Sequence, residues 1–394
     1  MAAAVTLAER GVPVTVFESG SVPGGRARRV QTEGRDLDNG QHILIGAYSG
    51  LLGLMRLVGV AADAVLRLPL ELRYADGFAF RSLWLPAPFG PLGGLLFSGS
   101  IPIRERIGAV RFMLSLKGNA FRVGKDLCVD TLLQRHAQNG VIGHYLWRPL
   151  CVSALNTPPE QAAAQVFATV LRDSLAGESD ASDLLLPRVD LSRLFPEPAA
   201  DYVRAHGGDI RLSETVRDLA VLQKEFGKVV VAVGPHQLKA LLSDCAPEFE
   251  YQPIYTCYLQ YPETVRLPFP MLGLAEGLVQ WAFDRGALGG EKGLIACVIS
   301  AQGDHQQMVR DELAATCHLE LKRALKNLPD AHWSLVIAEK RATVACTPAM
   351  KAIKLNSPVP GIVLAGDYTD PDYPPTLEAA VRSGVRAASR VLQT

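Results

Sequence analysis

Two buried-strand signatures, one at each end of the chain, constrain its fold more than anything between them. Residues 12–29 read VPVTVFESGSVPGGRARR: an apolar strand closed by Glu18, then a turn through Gly24, Gly25 and Arg26. Residues 361–384 read GIVLAGDYTDPDYPPTLEAAVRSG: a second apolar strand closed by Gly366 and Asp367, a proline-rich loop, and a helix beginning at Thr376 and Leu377. KVVVAVGP (228–235) is a third continuous apolar run. Strands of this kind belong to parallel sheets covered on both faces. The expectation is an α/β fold whose Rossmann-like domain draws on both chain ends.

The strand tips carry the chemistry. A carboxylate there accepts bonds from two ribose hydroxyls, which is the expected role of Glu18. Gly24 and Gly25, lacking Cβ, let backbone amides approach a phosphate that Arg26 neutralises. Asp367 is expected to accept from a ribityl or phosphate-side hydroxyl, with Gly366 allowing close backbone approach. The helix start at Thr376 and Leu377 turns its positive dipole end toward an electron-rich ring. VRDLAV (216–221) is expected as a strand whose Val216 backbone meets an adenine edge, although a plain core strand reads the same residues equally well. Together these features point to bound FAD. The usual fingerprint runs strand, G-x-G-x-x-G, helix, strand, acid. MAAAVTLAERGVPVTVFES enters that pattern at the helix, so a start truncated relative to it is expected.

At 394 residues the chain exceeds what one core serves, and two lobes are expected. The nucleotide-type pieces, 1–60, 195–243 and 335–394, form one. The segments 61–194 and 244–334 form an inserted α+β substrate lobe. Within them, Pro158 and Pro159 are expected to restart a helix, and 70–88 to form a hairpin around an Asp-Gly turn. Lys+Arg and Asp+Glu both total 40, and a nucleic-acid binder would carry a basic excess. The seven cysteines include no C-x-x-C pair, which argues against zinc, iron–sulfur and dithiol chemistry and fits reduced thiols in a cytoplasmic protein. No secretory signal and no apolar run of bilayer length are present, so a soluble or peripheral protein is expected.

The segments FES…PGGRAR, VVVAVGP and LAGDYTDPDYPPTLEAAVRSG resemble the flavin amine oxidase and phytoene desaturase superfamily. Within it, LDNGQHILIGAY, LWRPLCVSALNTPPEQAAAQVFATVLRD, QWAFDRG and GDYTDPDYPPTLE are similar to the hydroxysqualene dehydroxylase family. The resemblance covers the whole chain. It implies a p-hydroxybenzoate-hydroxylase-like FAD domain with a substrate lobe. It also implies reductive removal of the hydroxyl from hydroxysqualene, a C30 isoprenoid of hopanoid biosynthesis, alongside earlier enzymes of the squalene pathway. Loss of hydroxide requires a proton, and Asp372, Asp284 and His42 are the candidate donors. Asn39, Gln41 and His42 sit in a loop expected near the flavin, where His42 reads equally as an ordinary loop histidine. Residues 88–117 mix apolar residues with Arg104, Arg106, Arg111 and Lys117, which suits either a membrane-facing helix or a lobe helix with a solvated basic edge. A carotenoid-type desaturase, an amine-oxidase-like oxidase and a flavin-free binding protein are the alternatives.

Overall fold

The structure is a computed structural model describing residues 1–83, 85, 89–124, 126–175, 177, 180–242, 247–350 and 359–393. Cys245 and positions 84 and 86–88 of the expected hairpin segment lie outside the described residues. The other six cysteines are free thiols, five of them buried.

The α/β layer is built from two parallel strand pairs. Thr15–Glu18 pairs with Asp209–Leu212, and Val229–Val231 pairs with Ile362–Leu364. Among the described residues, Thr15–Glu18 and Ile362–Leu364 are each paired along one edge only. The helix Ala2–Glu9 buries Val5 and Ala8 against Ala199 and Val203 of the helix Pro196–Ala205. The closing helix Leu377–Gln393 packs on Ala2–Glu9 and on Ser49–Leu57. Gly384 allows that contact, since a Cβ there would press on Ala2. Chain ends remote in sequence thus share one layer.

The other lobe centres on a five-stranded antiparallel sheet in the order Met271–Gly273, Trp281–Asp284, Leu294–Ser300, Tyr251–Gln260, Trp333–Val344. Alternation along its strands sorts side chains between two cores. Cys257, Leu259, Cys297 and Ile299 face the helix Arg310–Ala324 through Leu313, Cys317 and Leu321. Tyr258, Ala296 and Val298 face the helical side, where they join Trp147, Phe167 and Leu171. No helix of the described residues is long and apolar enough to cross a membrane.

Three local expectations are corrected. VRDLAV is not a strand: the chain leaves the sheet after Leu212, and a helix spans Leu219–Glu225. Asp218 accepts from the Ala220 amide at 2.8 Å, and this N-cap followed by LAVLQKE favours a helix over an edge strand. Pro158 and Pro159 do not restart a helix. Asn156 closes the preceding helix in the left-handed conformation, and the next begins at Ala164. The intervening residues instead brace the helix Val129–Arg135, accepting from its Val129 and Asp130 amides through Ala162 and Pro159. Residues 335–344, assigned above to the cofactor domain, pair with Tyr251–Gln260 and so join the five-stranded antiparallel sheet. The hairpin appears as Glu71–Arg73 paired with Ala79–Arg81.

Candidate active site

Glu18 ends its strand half-buried, and its Oε1 accepts the Gly20 amide at 2.7 Å. The turn that follows places Gly24 at φ 123° and Gly25 at φ 60°. Only Gly24 is sterically confined, because a Cβ there would strike the Ala27 carbonyl and Pro196. The amides of Gly24, Gly25 and Arg26 make no hydrogen bond among the described residues. Three consecutive donors without partners are what a phosphate uses. Arg26 crosses to the other chain end, donating to Asp367 Oδ1 at 2.6 Å and to the Ala342 carbonyl at 2.6 Å.

Asp367 is 5% exposed. Gly366 adopts φ 153° and ψ 158°, its amide donates to Ser383 Oγ at 2.8 Å, and a Cβ there would overlap the Tyr368 ring. The Tyr368 hydroxyl donates to the Val233 carbonyl, tying the two parallel strands together beyond their tips. Thr376 caps the closing helix by accepting from the Ala379 amide at 3.3 Å. The amides of Leu377 and Glu378 are without partners among the described residues, as the first turn of a helix leaves them. Glu378, a residue the sequence did not single out, is buried and accepts from Gly50 and Leu51 at 3.0 and 2.8 Å. It therefore caps the helix Ser49–Leu57 and locks that helix to the site. Val216 lies in a segment outside any strand or helix and is partly buried against the core that holds Leu219 and Val229.

The segment Asp38–His42 joins the lobes. Asn39 donates to the Arg26 carbonyl and to Glu339. Gln41 donates to the Tyr258 hydroxyl at 3.0 Å and accepts from Arg285 at 3.0 Å, while Tyr258 donates to the Asp38 carbonyl oxygen. Beside Gly40, the buried hydroxyl of Thr256 has no partner among the described residues. A cavity of about 300 Å³ is lined by Asp38, Tyr258, Arg285, Arg35 and Asp190 among others, and none of Glu18, Gly24, Gly25, Arg26, His42, Thr256 or Asp367 is among its lining residues.

Burial raises the Asp38 carboxyl from 3.8 to about 6, against the pull of Arg285 and of the Leu191 amide. Between those pH values the folded protein holds a proton that the unfolded chain has lost, so stability falls as pH rises through the window. The expected loss from this group is ~3 kcal/mol between about pH 4 and 7. Asp38→Asn removes that component, as urea unfolding across the range will show. Equal pH slopes for the two proteins would exclude a buried, protonated Asp38.

The three candidate acids sit in different settings. Asp284 is buried, and its two oxygens accept the Leu267 and Ala287 amides at 3.0 and 2.9 Å, an arrangement that shapes the turn presenting Arg285. Asp372 is exposed in the proline loop. His42 contacts the Gly40 carbonyl at 3.4 Å, and burial, reinforced by the charge of Arg26, lowers its pKa and keeps the ring neutral. Asp38, Tyr258 and Arg285 were missed. Asp38 and Arg285 stand within the singled-out segments LDNGQH and QWAFDRG, while nothing in the sequence marked Tyr258.

Two strand tips with two sets of unpartnered amides define an α/β nucleotide-binding oxidoreductase site. The residues fit FAD: Glu18, the Gly24–Arg26 turn and Asp367 would hold its ribose, phosphate and ribityl parts, and the Leu377 helix end its ring. Residues 1–392 match the family described as flavin containing amine oxidoreductase, and the chain belongs to that family. It is an FAD-dependent oxidoreductase. It is 30% identical, over all of this chain and 96% of the relative, to a hydroxysqualene dehydroxylase of Rhodopseudomonas palustris. A hydroxysqualene dehydroxylase of Sinorhizobium fredii is 27% identical over all of this chain and 95% of its own. Among solved structures, an oxidoreductase from Methanosarcina mazei superposes with a TM-score of 0.73 at 14% identity, covering 99% of this chain and 97% of its own.

Proposed function

We propose that the protein reductively removes the hydroxyl of hydroxysqualene to give squalene and water. The observation that carries this reading is the meeting of two segments far apart in sequence. Arg285 of QWAFDRG clamps Gln41 of LDNGQH, and these are two of the four stretches that resemble the dehydroxylases. The whole-chain similarity to enzymes of that name supports it. Reduced FAD, when bound, supplies the hydride for the new C–H bond. The chain's own task is to make the hydroxyl leave as water.

Asp38 is assigned as the acid. It is 4% exposed, keeps its proton to about pH 6, and has Arg285 Nη2 at 3.6 Å to take up the charge left when the proton goes. Neutral His42 is assigned to hydrogen-bond the substrate oxygen and orient it.

The test is anaerobic incubation of the reduced protein with hydroxysqualene and, separately, phytoene, followed by hydrocarbon analysis. Squalene is expected from the first and no consumption of the second. Phytoene consumption without squalene would assign a desaturase instead. Asp38→Asn should slow turnover by about 10²-fold or more. A variant as fast as the native protein would exclude Asp38 as the donor.

A further inference from the structure

One surface of the substrate lobe is built against the usual rule that a helix buries its apolar face. The helix Phe89–Phe97 buries Gly90, Gly93, Gly94 and Leu95, and exposes Phe89 at 66%, Leu96 at 38% and Phe97 at 75%. The glycines are required where they stand. A Cβ at Gly90 or Gly94 would collide with the main-chain carbonyls of Leu83, Leu85 or Arg81. The helix therefore lies flat on its own neighbouring chain and turns its large side chains to the outside.

The next helix, Ile103–Gly118, packs against the first and carries an exposed apolar stripe of its own. At about 100° per residue, Ile103, Ile107 and Leu114 fall within about 40° of one another, and they are 59%, 43% and 55% exposed. The opposite side of this helix is the one that enters the core, through Ala109, Phe112, Met113 and Leu116. Eight of the thirteen strongly exposed large apolar residues among the described ones lie between Leu83 and Leu114, so the exposure is a patch and not a scatter.

Charge identifies the occupant. Residues 89–118 contain four basic residues and one acid in a chain of zero net charge. The acid, Glu105, is turned inward to accept the Ile142 amide. Arg104, Arg111 and Lys117 are exposed and have no carboxylate partner among the described residues. They flank the Ile103–Ile107–Leu114 stripe on either side, where their stems can run along an apolar phase and their charges reach its boundary. Phenylalanine and aliphatic side chains bordered by unpaired cations match the boundary of an anionic bilayer, apolar within and negative at its surface.

We propose that the face formed by Phe89–Phe97 and Ile103–Gly118 docks the protein on an anionic lipid bilayer. This goes beyond the reaction proposed above and does not depend on it. The test is co-sedimentation of the full chain with phosphatidylcholine vesicles prepared with and without phosphatidylglycerol. The native protein should sediment with the anionic vesicles, and added salt should weaken that binding. Arg104→Gln, Arg111→Gln and Lys117→Gln combined should reduce affinity for anionic vesicles about 100-fold. Phe89→Ser, Phe97→Ser and Ile103→Ser combined should abolish retention on both kinds of vesicle. Both variants should keep native circular dichroism and FAD content, since every substituted residue is exposed. The proposal is overturned if the native protein stays in the supernatant with both vesicles, or if either variant binds as the native protein does. It is equally overturned if the patch instead mediates a concentration-dependent dimer, seen by sedimentation velocity, without vesicle binding. Loss of vesicle binding with unchanged turnover of detergent-dispersed substrate would separate this surface from the chemistry.

Discussion

Asp367→Ala will lower the affinity for FAD between about tenfold and 200-fold, the range for losing a hydrogen bond to a charged group. Asp367 is buried, and the cation beside it is Arg26, brought from the opposite end of the chain. Its proposed place is at the ribityl chain, where its carboxylate accepts a hydroxyl proton. Alanine removes that acceptor and also leaves Arg26 with only the Ala342 carbonyl to bond. Asp367→Asn keeps an acceptor but no charge and should fall between the two. Flavin absorbance per chain, with FAD titration of the stripped protein, reads the effect, and circular dichroism checks the fold. Unchanged affinity in Asp367→Ala would remove this residue from the cofactor site.

Gly366→Ala is expected to be as damaging to the fold as Asp367→Ala is to the cofactor. Gly366 occupies a region of backbone conformation open essentially to glycine alone. Its missing Cβ is also what admits the Tyr368 ring, which bonds across to Val233. Strain and overpacking each cost about 1–3 kcal/mol, so a loss on the order of 4 kcal/mol is expected. Gly25→Ala is the internal comparison. Its φ of 60° is left-handed but the space around it is open, so only about 1–2 kcal/mol should be lost. Equal thermal stability of the two variants would show that the Tyr368 contact does not define the strand tip.

The expectations that held were those resting on local pattern. Thr15–Glu18, Val229–Val231 and Ile362–Leu364 are runs that prefer extended structure and burial on both faces, and each forms a parallel strand. The helix from Leu377 follows from a proline loop and a threonine cap. Expectations failed where a neighbour decides. VRDLAV has the apolar content of a strand, but Asp218 caps the Ala220 amide and starts a helix instead. Residues 335–344 look like any strand, and only pairing with Tyr251–Gln260 places them in the five-stranded sheet.

The same division runs through the site. That a strand ends in an acid, that a turn contains two glycines and an arginine, and that a helix begins after Gly-Asp are properties of adjacent residues, legible in the order of amino acids. That Arg26 meets Asp367, that Arg285 holds Gln41, and that Asp38 is closed away from water beside Tyr258 depend on segments hundreds of residues apart. Those contacts come from the folded arrangement, because a carboxyl's proton affinity and a guanidinium's partner are set by what surrounds them in space, and covalent neighbours supply little of it.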